Sequence, residues 1–365
     1  MYVKWTVFGV ALVTLGMLGL AWPDKSGQSQ PLKPPSAEEL HVRNDAFARA
    51  RVLRREFDAA TVDFSKDPNA GAIDTTLTTC RFLPAEPTGT TPKFDCELPS
   101  GEEIKVKYGW TSEIPAELAA SRLLHALGFG ADRMSRVKTL RCFGCVVAPF
   151  HVHVMMQKLG ILKSFDKHLE YNHAIDFQNV AVERKLDGDS IGAGDNKGWG
   201  FYELSRIDPS RGGASRAEVD ALRLMAMFLS HWDNKASNQR LICEGSKSED
   251  CNHPLAMIQD TGSDFGPSKM NLAKWSGTPF WADAASCTIS MKTMPWGGAT
   301  FEDVRISEDG RRLLGDRLKQ LSTAQIETLF TAAGFQDVPQ WVAAFEEKVR
   351  QVSDRSSCPS GPSSS

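Results

Sequence analysis

Between residues 114 and 130, IPAELAASRLLHALGFG, apolar positions recur three and four residues apart at Leu118, Leu123, Leu124 and Leu127. That spacing predicts one face of a helix, with Gly128 as its stop. The pattern before it is different. From about residue 75 to 108 short β-rich runs are broken by Gly and Pro: TTLTTCRFL, KFDCEL and EEIKVKYGW. Three more strand-like runs follow the helix, namely RVKTLRC, VHVMMQKLG and NVAVERKL. The second half turns mostly helical. RAEVDALRLMAMFLSH is a strongly apolar helix, the runs RLIC and LAMIQD read as strands, and TAQIETLFTAAGF and VPQWVAAFEEKVRQV read as helices. Residues 38–57 read as a charged leading helix. The order predicts an α+β chain in two lobes: a β-rich lobe with its leading helix over 38–185, and a mainly helical lobe over 186–353. Residues 354–365, DRSSCPSGPSSS, read as a disordered tail.

The amino terminus adds a location. Lys4 precedes an uncharged run from Trp5 to Pro23 that fits a secretory apolar region and is almost long enough to span a bilayer. Residues 1–22 are therefore expected to be a signal peptide, with a cleavage site ending at Ala21, or a signal anchor. Residues 23–37, containing SGQSQPLKPPS, are expected to be a flexible linker. A buried core helix fits poorly, because that linker offers nothing to pack on. The charge at Lys4 holds the short end in the cytoplasm and exports the rest, to the periplasm or beyond, with membrane contact only through the leader. Eight cysteines, an even number, suit disulfides in an oxidising compartment. Cys80–Cys96 and Cys243–Cys251 each flank a hairpin and are the expected pairs. With 365 residues and a net charge of −3, the chain is long enough for two lobes and makes no electrostatic case for nucleic acid.

The polar stretch SHWDNKASNQRLIC, residues 230–243, carries candidate chemistry. In it Asp233 follows His231 by two and Asn238 follows Asp233 by five, which is the kinase spacing of a catalytic aspartate and a metal-binding asparagine. Lys235 stands where many kinases place a lysine that contacts the transferred phosphoryl group. Phosphoryl transfer depends on positioning and charge neutralisation, so few residues are needed but their placement is strict. In LAMIQDTGSDFG, Asp260 ends an apolar strand and is the preferred metal aspartate; the literal D-F-G at Asp264 lies four residues out, and a solvated turn is its bland reading. Ile104-Lys105-Val106-Lys107 alternates, which places Lys107 at the phosphate-contacting position, with Lys105 on the same face as the fallback. Glu117 is the acidic helix partner, and Glu113 a helix-entry residue ahead of Pro115. Gly89, Thr90 and Lys93 lie in a turn that could cradle phosphate, or be a plain hairpin turn.

In this order the parts resemble atypical members of the protein-kinase-like superfamily. GTTPK, IKVK, AELAASRLLHALGFG and VAVERK look like the phosphate loop, lysine strand, helix and hinge of HipA-type kinases and phosphatidylinositol 4-kinases. IQDTGSDFG looks like the metal segment of secretory-pathway kinases, and the CotH-type spore-coat kinases are a comparable exported group. The resemblance runs over roughly residues 75–345 as scattered short motifs. It implies a bilobal fold with ATP in the cleft and Mg²⁺ or Mn²⁺ on Asn238 and Asp260. Asp233 would orient the acceptor hydroxyl, Lys107 paired with Glu117 would contact the α/β-phosphates, and Glu183 would lie at the hinge. The acceptor would be a hydroxyl of a protein or carbohydrate. The chain departs from the pattern in lacking a full G-x-G-x-x-G, in Trp232 where arginine is usual, and in D-T-G for D-F-G.

Two other readings stay open. One is a catalytically inactive kinase-like scaffold, favoured by the scarcity of ATP outside the cytoplasm. The other is a zinc protein, with Cys142, Cys145, His151 and His153 as a tetrahedral set and the two histidines sharing a strand face. Trp275, Trp281 and Trp296 could line a sugar or peptide groove, although buried packing suits them better.

Overall fold

Inward and outward positions alternate along the first strands, and the inward ones meet in a closed barrel. In the computed structural model, which describes residues 34–54, 57, 59–194, 198–231, 233–245, 251–292, 303–354 and 357–359, five strands form it: β1 (Leu77–Leu83), β2 (Lys93–Glu97), β3 (Glu103–Lys107), β4 (Arg133–Phe143) and β5 (Ala174–Arg184), in the order β1-β2-β3-β5-β4. β1 and β4 pair in parallel to close the barrel, and the other pairs are antiparallel. Phe82, Phe94, Ile104, Val106, Leu140 and Val182 fill its interior. The leader at 1–22, Trp232 and Trp296 lie outside the described residues.

The predicted helix forms as α2 (Glu113–Ala126) between β3 and β4. Leu118, Leu123, Leu124 and Leu127 are all fully buried. Gly128 has φ +84°, and a side chain there would strike Phe57 and Arg317. The run VHVMMQKLG departs from its predicted strand. It lies in α3 (Pro149–Lys158), followed by α4 (Leu162–Asp166). Pro149 starts α3, and the backbone N–H groups of Gly160 and Ile161 close it on the carbonyls of Gln157 and Met156. The short Val-His-Val alternation was outweighed by burial at Phe150 and His153, three residues apart.

The remaining elements are β6 (Gly188–Ser190), α5 (Arg216–Leu229), β7 (Gln239–Glu244), β8 (Leu255–Ile258), α6 (Leu272–Gly277), β9 (Thr288–Ile289), β10 (Val304–Arg305), α7 (Glu308–Leu318), α8 (Thr323–Ala333) and α9 (Val338–Ser353). β6, β7 and β8 make a small antiparallel sheet. A capping box of Ser215 and Glu218 starts α5, whose residues from Val219 to Leu229 are all buried. This half and α2 share one large hydrophobic core, separate from the barrel interior. Trp275 is fully buried in it, and its indole N–H donates to the Phe228 carbonyl. Trp281 packs at its edge and donates to Gln351.

Two expected boundaries shift. The leading helix, α1 (Ala37–Ala48), stops well short of residue 57. Beyond it Arg51 and Leu53 extend to bridge Leu255 and Phe129, because Val52 and Leu53 bury better there than on a longer helix. α1 itself packs toward the helical half: Phe47 stacks near Trp199, and Arg43 pairs with Glu203. At the other end, the expected disorder of 354–365 does not hold for residues 357–359. Cys358 is buried, disulfide-bonded to Cys287, and its N–H donates to Glu308. Composition pointed to a loose tail, and a covalent bond overrides it. Cys80–Cys96 and Cys243–Cys251 pair as expected, and four disulfides in all suit an extracellular or periplasmic location. No described helix is long and apolar enough to cross a membrane.

Candidate active site

β3 sends Ile104 and Val106 into the barrel, so Lys105 and Lys107 share its opposite face. Lys107 is nearly inaccessible. Its Nζ stands 2.8 and 2.6 Å from the two carboxylate oxygens of Glu117 on α2. Asp260, just past the end of β8, approaches the same Nζ at 3.5 Å. A strand, the helix that follows it and a segment 153 residues past Lys107 therefore meet at one ammonium group. Lys105 pairs with Glu183 at 3.3 Å, directly across the β3–β5 ladder. Lys93 is the register partner of Lys107 on β2.

The 88–92 turn closes over this end of the barrel. Gly89 has φ +71°, and a side chain there would press on Lys93 Nζ at 3.2 Å. Thr90 is exposed, while Thr91 hydroxyl donates to the Glu113 carboxylate at the start of α2. Glu113 also abuts Gly262, where an added side chain would sit 3.2 Å away. The residue read as helix entry thus links the turn, α2 and the segment after Asp260. A cavity of about 60 Å³ opens beside the turn, against Lys93, Asp95, Lys105, Phe150 and His153.

α5 ends at Ser230 in a left-handed turn that delivers the 231–238 loop. His231 is buried, with Nδ1 2.9 Å from Asp264 and Nε2 3.2 Å from the Gln239 amide. Asn238 donates from Nδ2 to the Asp233 carbonyl at 2.7 Å. The Asn238 carbonyl in turn accepts from the Gln259 N–H at 2.8 Å, one residue before Asp260. Asp233, Asn238 and Asp260 are thereby stitched into one loop cluster. Lys235 Nζ lies 3.1 Å from Asp233 and is largely exposed.

The charges offset burial at Lys107 and Asp260 but not at Glu117. Burial pushes the Glu117 carboxyl up to about 8, with Asp260 and Glu183 adding to it against the pull of Lys107. Burial works against an ionised Asp260, but Lys107, Lys93, the Gly262 N–H and Lys105 outweigh it and hold the carboxyl at about 2. Burial likewise opposes the charge on Lys107; Glu117, Asp260 and Glu183 outweigh it and keep the ammonium protonated above the ordinary lysine range. Burial and the neighbouring Lys107 push Lys93 down, and Glu183 pushes Lys105 up. The site holds an ionised carboxylate facing cations, with 41% of the Asp260 side chain still accessible.

The literal D-F-G turns the other way. Asp264 is fully buried against His231, not a solvated turn residue, and burial lifts its carboxyl to about 6. Phe265, at φ +59°, is packed among Trp275, Phe330, Phe335 and Trp341. The Asp264–His231 contact was missed in sequence, since 33 residues separate the two and no local period links them.

The zinc set does not assemble. Cys142 and Cys145 are bonded to each other. His151 and His153 lie on α3, not on a strand: His151 is exposed, and His153 is buried between the Pro149 carbonyl and Asp166. The sulfurs of Cys80, Cys96 and Cys142 come together in the barrel, but all three belong to disulfides and offer no thiolate.

No family model and no curated protein match the chain. Among solved structures it is similar to the proinflammatory kinase CtkA of Helicobacter pylori, with a TM-score of 0.43 and 11% identity over 77% of this chain and 96% of that one. The likeness is remote, and the site stands on this chain's own residues.

Proposed function

We propose that the chain is an exported phosphotransferase of kinase-like, bilobal build that moves the γ-phosphoryl group of ATP to a hydroxyl of a protein or carbohydrate. The observation that carries this reading is the convergence on Lys107 of Glu117 and Asp260, with the Asp233–Asn238 loop tied to Asp260 by backbone.

Lys107, fixed by Glu117, would contact the α- and β-phosphates, and Lys93 and the Gly89–Thr90 turn would flank them. Glu183, held by Lys105, would lie by the adenine at the hinge. Asp260 and the Asn238 Oδ1 are hard oxygen donors of the kind Mg²⁺ or Mn²⁺ prefers, and Asn238 spends its nitrogen on Asp233, leaving the oxygen to coordinate. The ion, when bound, would neutralise phosphate charge. Asp233 orients the acceptor hydroxyl and takes its proton. The hydroxyl oxygen bonds to the γ-phosphorus as the bond to the β–γ bridging oxygen breaks, and ADP leaves with that electron pair. Lys235 stands beside Asp233 to meet the charge on the transferred group.

Transfer from labelled ATP tests this. Asp233→Ala and Asp260→Ala are each expected to abolish labelling while leaving the thermal midpoint near that of the wild type. Wild-type-level transfer by either variant refutes the assignment. A thermal shift by nucleotide with Mn²⁺ is also expected; no shift at all would favour the inactive scaffold.

A further inference from the structure

α3 has an inner face fixed by Phe150 and His153. Its outer face follows from the helical period: His151, Met155, Lys158 and Leu159 stand three, four and seven residues apart and all are exposed. Val147 before the helix and Ile161 after it extend this face. Val147, Met155, Leu159 and Ile161 are 76%, 50%, 57% and 47% accessible. With Phe143 they make five of the eleven large apolar side chains exposed among the described residues, gathered between residues 143 and 161. α4 is held against α3 by His153 and Asp166, 3.0 Å apart, and by Phe165 against the His153 ring. It carries Lys163, with Lys167 just past its end, and both are exposed.

Lysines outnumber acids around the apolar patch, three to two. Lys158, Lys163 and Lys167 make no ion pair with a described residue. Of the hairpin's two acids, Asp166 faces the buried His153 at 3.0 Å, and Glu170 is exposed, 3.7 Å from the exposed His173. Exposed Met, Leu and Ile among lysines suit a bilayer interface, where apolar side chains enter the acyl boundary and lysines meet anionic headgroups. A protein partner would need acidic groups matched to three separate lysines; an anionic bilayer supplies them at any register.

We propose that the outer face of the α3–α4 hairpin, through Met155, Leu159, Ile161, Lys158, Lys163 and Lys167, docks on an anionic lipid surface. The inference is independent of the catalytic reading.

The test uses the full-length protein with vesicles of phosphatidylcholine alone, with vesicles containing phosphatidylglycerol as well, and in detergent micelles. Hydroxyl-radical footprinting reads Met155, Leu159 and Ile161, with the exposed Tyr202 as the internal control. Modification of the three is expected to fall several-fold on the anionic vesicles alone, with Tyr202 unchanged. Lys158→Glu, Lys163→Glu and Lys167→Glu combined should restore it, with the thermal midpoint preserved because all three are exposed. Equal modification on anionic vesicles and in micelles overturns the proposal, as does equal protection on both vesicle types. Protection already present in micelles and lost on dilution assigns the face to a second copy, and overturns it too.

Discussion

Asp264 shows how one buried group can set both geometry and pH response. Its carboxylate accepts from His231 beneath the 231–238 loop, yet burial lifts it to about 6, above the ordinary aspartate value. The folded protein thus holds this proton more tightly than the unfolded chain does. The stability it contributes is fully present below about pH 4 and is lost as pH rises through 6. At pH 7 the ionised, buried group costs about 2–3 kcal/mol. Asp264→Asn keeps an acceptor for His231 without the charge. It is expected to raise the thermal midpoint at pH 7 and leave it unchanged near pH 4; a midpoint lowered at pH 7 contradicts this. At this scale the sequence was legible where a local period existed. Ile104-Lys105-Val106-Lys107 placed Lys107 on the face where Glu117 and Asp260 meet it. For Asp264 it offered a solvated turn and missed the burial against His231, a partner from another element.

Among the elements, α9 hides a charge that its sequence conceals. Lys348 sits in AAFEEKVRQV after two glutamates, yet it is 1% accessible. Its Nζ has the Thr278 carbonyl at 3.3 Å and the Trp275 ring centroid at 5.3 Å. Burial pushes the ammonium down to about 8. The cost of charging it is fully in place below pH 8 and is relieved as pH rises toward the unfolded lysine value, so stability grows over that window. Lys348→Met, similar in length and uncharged, is expected to stabilise by about 2–3 kcal/mol at pH 7. The gain should shrink toward pH 10 in urea titrations at both values; a loss at pH 7 would count against it. Helices and strands were largely readable because their apolar periods were long, as in α2 and α5. α3 was not, because four alternating residues fit either period and Phe150 and His153 decided between them.

Over the whole molecule, a buried ion pair joins elements of two hydrophobic cores. Lys107 rides on the barrel and Glu117 on α2, which belongs to the core of the helical half. The pattern of runs foretold the succession of strands and helices, but not that α1 and α2 would share one interior with the second half. That depends on contacts such as Phe47 with Trp199, which no local window contains. The longest covalent closure is Cys287–Cys358, spanning 71 residues. A loop of that length is worth about 4 kcal/mol in chain entropy. Truncation after Ser353 is expected to lower stability by roughly that amount, read from the urea midpoint; a loss below about 1 kcal/mol would show that the bond does not support the fold.

That same bridge governs how the protein can be prepared. Every cysteine in the chain has a partner. Trimming at the apparent end of the last helix would strand Cys287 as an odd sulfhydryl, ready to join neighbouring molecules during purification. A shortened version therefore needs Cys287→Ser as well, and a fusion is safer appended beyond Pro359 than spliced in before it.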